Sequence, residues 1–451
     1  MTVMAELEAR FDRVCDYMLG QLRGGEAMSV DFAGEASEFM RFNRGRVRQA
    51  GQVRQGRVRF RYHRDGRTLD SAFETTGDPG PDRAAAAQAL GAARREAALL
   101  PPDPYQALPT AQDASRNIFP GQLPDPESLP DLVLGPATVL AGAGADFVGL
   151  HAQGPVCRGA ANSAGARHWF AAETFVLDYS AWLPGGKAVK SSCAGRAWDP
   201  RAYAAGLAAA VPRLEALARP GKTLAPGRYR AFLAPDALNE VMPMFSWNGL
   251  GERGLREGES AFLALREGRR ALSPRFHLAQ DFTLGLEPRF NALGETAPER
   301  LPLIQAGALV KTLVSARSAR KYGVPSNAAP EGEELRSPVV GAGDLDQEDV
   351  LKALGTGLFL ANLHYLNWSD RDSGRITGMT RFACFWVEQG ELAAPIHDLR
   401  FDESLYHLFG DKLAALTRQR SLVPETGTYD RRALGGALLP GLLVEGFTFT
   451  L

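Results

Sequence analysis

Between Val53 and Tyr62 apolar and cationic side chains alternate, with Val58, Phe60 and Tyr62 set between Arg57, Arg59 and Arg61. A period of two puts the apolar set on one face of a strand and the arginines on the other. The stretch therefore demands a sheet with one dry and one wet face, and with it partner strands. Val30, Phe32, Phe39-Met40 and Val47 extend the alternation over Met28–Thr76, which predicts antiparallel strands. His63-Arg64-Asp65 is similar to a kinase catalytic loop in type only. No Asn follows at the required spacing, and there is no Gly-rich loop or strand lysine before it, so it reads as a turn ahead of Gly66.

Helical spacing brackets this sheet. Met4, Leu7, Phe11, Val14, Met18 and Leu22 form one stripe ended by Gly24-Gly25, and Ala-rich residues 82–100 form a second helix. A Pro-rich connector over Pro101–Pro130 follows. Short apolar runs between Leu132 and Leu183 predict a second hairpin layer turning at Ala161–Gly165, and Ala204–Leu217 reads as a helix. With 451 residues the chain exceeds one hydrophobic core. Ala218-Arg219-Pro220-Gly221 sets a domain boundary near 222, giving domains 1–222 and 223–451.

In the second part Tyr229–Leu233, Phe282–Leu284, Leu301–Ile304, Ala308–Val310, Phe382–Val387 and Phe447–Phe449 read as strands. Ser260–Arg266, Val350–Ala361 and Leu405–Leu416 read as helices. The expected fold is α+β in two domains, an N-terminal antiparallel sheet with flanking helices and a C-terminal strand-rich α+β domain.

Composition narrows the function classes. Lys and Arg number 51 against 52 Asp and Glu, which argues against a polyanion binder defined by bulk charge. The ten arginines from Arg41 to Arg67 still raise nucleic acid or an acidic partner as a ligand of that face. Cys15, Cys157, Cys193 and Cys384 show no Cys-x-x-Cys spacing, which fits a reducing compartment without a disulfide framework. No run reaches membrane-spanning length and the N-terminus has no apolar export segment, so the expectation is an unexported, cytoplasmic protein.

The candidate site is the segment Pro235–Arg253, read as a helix opened by Pro235 and Asp236 and ended at Asn248-Gly249. A zinc peptidase helix needs two imidazoles and a Glu beside the first to activate water. Here Asn239-Glu240-Val241-Met242-Pro243-Met244 keeps the carboxylate but offers an amide and a thioether for the ligands. Pro243 is expected to kink or stop the helix.

The seven histidines contain no pair at three- or four-residue spacing, which leaves only a site dispersed over distant segments such as His364, His397 and His407. Asp370–Gly374 reads as a charged turn, lacking the ligands of a calcium loop. Gly142-x-Gly144 and Gly185-Gly186-Lys187 match neither nucleotide fingerprint, and no Gly-x-Ser-x-Gly elbow is present.

Taken together, Arg41–Gln49 with the Asp65-Gly66-Arg67 turn, Asn162-Ser163-x-Gly165, Leu303–Leu309, Ala319–Gly323 and Phe385–Leu392 with Pro395 resemble the TldD/PmbA family. Its members are also called TldD/TldE proteins or modulators of DNA gyrase. The resemblance spans nearly the whole chain. It implies a metallopeptidase lineage in which the TldD branch carries His-Glu-x-x-x-His, whereas the TldE/PmbA branch lacks those ligands and pairs with a TldD partner.

Asn239, Glu240 and Met244 fall at the motif positions, so the chain resembles the ligand-less branch. The resemblance implies no metal or other cofactor in this chain, zinc in a partner subunit, a TldD-like partner or a homodimer, and a peptide substrate. A second reading keeps Glu240 as general base of an autonomous metallopeptidase with a non-standard metal site. A third makes the Arg41–Arg67 face a peptide- or nucleic-acid-binding surface.

Overall fold

The computed structural model describes residues 2–450, whose strands form a seven-stranded and a thirteen-stranded sheet. Helix α1 (Val3–Gly20) starts where the Thr2 hydroxyl accepts from Ala5 N, and it buries Leu7, Phe11, Val14 and Met18. Strands β1 (Glu26–Asn43), β2 (Arg46–Arg64) and β3 (Arg67–Thr75) form a meander. Asp65 and Gly66, with φ of 49° and 74°, make the tight turn between β2 and β3. Helix α2 (Pro79–Ala97) packs beside α1. Met28, Val30, Phe32, Val58, Phe60 and Tyr62 form one cluster with the buried faces of both helices, the dry face that the alternation requires.

The connector after α2 is more ordered than its prolines suggest. It contains β4 (Ala114–Phe119), parallel to a later strand, and leads into α3 (Leu129–Gly142), where Pro130 occupies the first turn and Pro136 is tolerated further on. Strands β5 (Asp146–Asn162), β6 (Arg167–Trp182) and β7 (Ala188–Gly195) and helix α4 (Pro200–Leu217) complete this half. The expected second hairpin layer is instead the same sheet. β5 pairs with β1 from Ser29↔Asn162 to Phe42↔Gly149, because the second edge of so long a strand needs partners for its N–H and C=O groups.

In the second half β8 (Gly227–Leu233) lies between Gly436–Phe449, antiparallel, and Gly357–Leu360, parallel. The expected strand Phe282–Leu284 is a 3-10 turn, drawn in by the Asp281 carboxylate accepting from Thr283 N at 3.0 Å. The expected helix Leu405–Leu416 is a short π turn at His407–Asp411 followed by the strand Leu413–Pro424. Val350–Ala361 divides likewise into a helix, Val350–Leu354, and the strand Gly357–Leu360, with Gly355 at φ 65° between them. Such short apolar stretches do not distinguish a strand from a helix by periodicity alone. Asp370–Gly374 is the turn of the hairpin Asn362–Asp370/Arg375–Arg381.

Phe147 and Leu177 of the first sheet, Leu207 and Leu214 of α4, and Phe232, Phe359, Phe385 and Leu443 of the second half belong to one apolar cluster. A continuous core therefore crosses position 222. No helix of the described residues is long and apolar enough to cross a membrane.

The loop joining Leu413–Pro424 to Gly436–Phe449 adds a polar clamp. Buried Arg432 donates to Thr174 O at 2.6 Å, Ala152 O at 3.4 Å and Gly154 O, while its own N–H donates to Glu35 Oε2 at 2.8 Å. Arg432→Met leaves these carbonyls without a donor and should lower the unfolding free energy by roughly 3 kcal/mol in denaturant titration. A change below ~0.5 kcal/mol, the range of surface substitutions, contradicts this.

Glu26, at the start of β1, accepts from Arg94 Nε at 2.9 Å, Arg94 Nη2 at 2.8 Å, Tyr62 OH at 2.8 Å and Arg23 N at 2.9 Å. Burial acts to raise its pKa, but these donors outweigh it and bring the carboxyl from 4.5 down to about 2. A depressed folded value stabilises fully above the unfolded one, and that stabilisation is lost as pH falls from 4.5 towards 2. Glu26→Gln should remove this part of the acid limb from the stability–pH curve while lowering stability at neutral pH.

Candidate functional site

β8 hands the chain to the site through Ala234, whose N–H donates to Leu360 O at 2.9 Å. Pro235 then occupies the first turn of α5 (Pro235–Val241), where a missing N–H costs nothing. Ala237, Leu238 and Val241 face the core. The helix expected to run on to Asn248 is interrupted at Met242, because Pro243 has no N–H to offer the Asn239 carbonyl. Met242 N donates to that carbonyl instead, at 3.2 Å, and α6 (Pro243–Ser246) follows as a separate turn.

The three motif positions differ in their setting. Met244 is 3% exposed and sits in the second-half core with Leu238 and Phe245, Asn239 is half-buried, and Glu240 is exposed. A carboxamide and a core thioether are also poor zinc donors, so this segment does not fit the metal that a peptidase helix would hold.

Glu240 instead shares a face with Asp236, one turn earlier, towards the first half. There Lys190 of β7 bonds Asp178 of β6 at 2.6 Å. Burial raises the Asp236 pKa against Arg213 of α4 and Lys190. Although Glu240 keeps solvent access, the desolvation of its carboxyl by neighbouring segments raises its pKa, opposed by Lys190 and reinforced by the Asp236 and Glu425 carboxylates. Glu240 is thus a solvent-accessible carboxyl near charges of both signs.

His364 lies beside Tyr365 and 3.3 Å from Arg381, and burial followed by that arginine lowers its pKa. His407 lies 3.3 Å from Glu403, and His397 N donates to Lys222 O at 3.4 Å. Among the described residues no three His, Cys, Asp or Glu side chains are grouped so as to hold a metal ion, so the dispersed triad is not assembled.

The arginine face has a different setting from the one its sequence suggests. Arg57 pairs with Glu74, Arg61 with Asp70 and Glu331, and Arg64 with Glu26 and Asp65. Next to it lies a cavity of about 680 Å³ between the first sheet and residues 287–293, 315–317 and 329–331. Asp31, Arg158 and Glu287 line it from three distant stretches. Asp31 occupies a wet-face position of the alternating β1, and nothing local sets it apart as a site residue.

The two sheets share an apolar core, and α5 opens at a proline directly after β8 of the second sheet. A family model described as the PmbA/TldA metallopeptidase C-terminal domain matches residues 226–451, and the chain belongs to the PmbA/TldD metallopeptidase family. A protein of Escherichia coli O157:H7 named metalloprotease PmbA is 28% identical over 153 residues, a match covering 33% of this chain and only 30% of that relative.

The fold matches TldE from Thermococcus kodakarensis with a TM-score of 0.75 at 15% identity, over 98% of this chain and 100% of that one. It also matches a Thermotoga maritima protein described as a modulator of a DNA gyrase, with a TM-score of 0.74 at 15% identity and the same coverage.

With the side chain at 244 committed to the second-half core, restoring imidazoles should not by itself restore a site. The Asn239→His/Met244→His variant should hold well under one zinc per chain after dialysis, by elemental analysis. It should also melt below the wild type, since an imidazole replaces a core thioether.

Proposed function

We propose that this chain is the metal-free, TldE/PmbA-like subunit of a TldD-type metallopeptidase, with residues 1–222 and 223–451 as its two domains and the cytoplasm as its compartment. The observation that carries the reading is Met244, a core side chain at the position where a second ligand would be needed. The partner supplies zinc, its ligands and the water-activating Glu, and this chain helps to enclose an unfolded or extended peptide. A bare strand edge supports the peptide role. β3 covers β2 only over Gly56–Arg64, so among the described residues Arg46–Gln55 has no strand on that side and can accept one by main-chain hydrogen bonds.

Glu240 supports a second reading, an autonomous peptidase using that carboxyl as general base, through its raised proton affinity. The nucleic-acid reading draws less support, since Arg57, Arg61 and Arg64 already have carboxylate partners.

Purified alone, the chain should carry substoichiometric zinc and iron and leave unfolded peptides intact. Mixed with a His-Glu-x-x-x-His family partner, it should form a stable complex that cleaves them. One tightly held metal per chain, with cleavage abolished by Glu240→Gln in a folded protein, overturns the proposal in favour of the autonomous enzyme.

A further inference from the structure

The cavity beneath the first sheet is built, not incidental. Its floor is the polar face of β1, β2 and β5, where Asp31 stands directly opposite Arg59 and one diagonal step from Arg158. Its roof is held by Arg336, which donates to Phe290 O at 2.8 Å and Pro288 O at 3.0 Å, and by His168, whose Nε2 lies 3.0 Å from Gly294 O. Arg61 ties Asp70 on the floor side to Glu331 on the roof side at the rim. The volume, about 680 Å³, falls among those of small-molecule sites, and Phe290 and Leu293 supply apolar wall.

Four charged side chains in this space lack partners. Asp31, Arg59, Arg158 and Glu287 form no ion pair among the described residues, although almost every other charge around them does. Their single protein hydrogen bond is from Arg158 Nη1 to Cys157 O at 2.9 Å. Burial pushes the Glu287 carboxyl up to about 7 despite Arg158 and Arg336, with Glu425 adding to the rise. Burial raises Asp31 too, against Arg158, Arg59 and Arg431. Partly buried charges of both signs, held apart by a rigid frame, are completed by a ligand that brings both signs with it.

We propose that this cavity binds a short zwitterionic peptide, its ammonium held between Asp31 and Glu287 and its carboxylate by Arg59 and Arg158. The site is separate from α5 and needs no partner chain, so it stands or falls independently of the subunit reading.

Calorimetric titration of the full chain with the dipeptide leucyl-leucine tests this, alongside N-acetyl-leucyl-leucine and leucyl-leucine amide. Free dipeptide should bind at one site per chain, and blocking either end should weaken binding about ten-fold or more, the worth of one lost charge-assisted contact. Glu287→Gln should weaken the free dipeptide similarly but leave the acetylated form unchanged, and Arg158→Met should do the converse with the amide. Arg59→Met, at the exposed rim, gives the same comparison if Arg158→Met does not fold. Absence of saturable binding by the folded wild type overturns the assignment. So does binding undiminished by either block, or folded variants that bind as the wild type does.

Discussion

The structure depends on β1 being paired along both edges. From Glu26 to Asn43 it bonds β2 on one side, and from Ser29 to Phe42 it bonds β5 on the other, so its register is set twice. A slip by one residue would turn Met28, Val30 and Phe32 away from α1 and α2 and drive Asp31 and Glu35 into that core. The same register delivers Asp31 to the cavity and Glu35 to the N–H of Arg432. Packing on one face and polar chemistry on the other are consequences of a single alignment.

The two halves are joined by unlike means at different places. Around Phe232, Phe359 and Leu214 the joint is a common apolar core, which tolerates no water. Around Arg432 and Arg61 it is made of guanidinium groups reaching carbonyls and a carboxylate of the other half. The cavity lies within the polar joint, where apolar packing gives way. On the arginine-rich face Arg57, Arg61 and Arg64 are engaged by carboxylates, while Arg59 between them is not.

Much was legible from pattern alone. The alternation at Val53–Tyr62, the stripe of α1 and the Asp65-Gly66 turn each rest on local rules, and each appears in the structure. The interruption at Pro243 was legible for the same reason, since a missing N–H is a property of the residue itself. The Leu405–Leu416 and Val350–Ala361 runs were not, because each joins a short helical turn to a strand and neither piece is long enough to show its own period. The cavity was not legible either, as Asp31, Arg158 and Glu287 lie more than a hundred residues from one another in the chain.

The sequence by itself determined the α+β class, the dry face of the first sheet and the chemistry available at 239, 240 and 244, because these follow from residue type and short-range spacing. Only the tertiary structure decided that Met244 belongs to the core, that Arg57, Arg61 and Arg64 meet carboxylates, and that unpaired charges from three strands and a loop meet around one space. Such outcomes depend on which distant segments pack together, and the free energy of that packing is a sum over contacts that no local stretch contains.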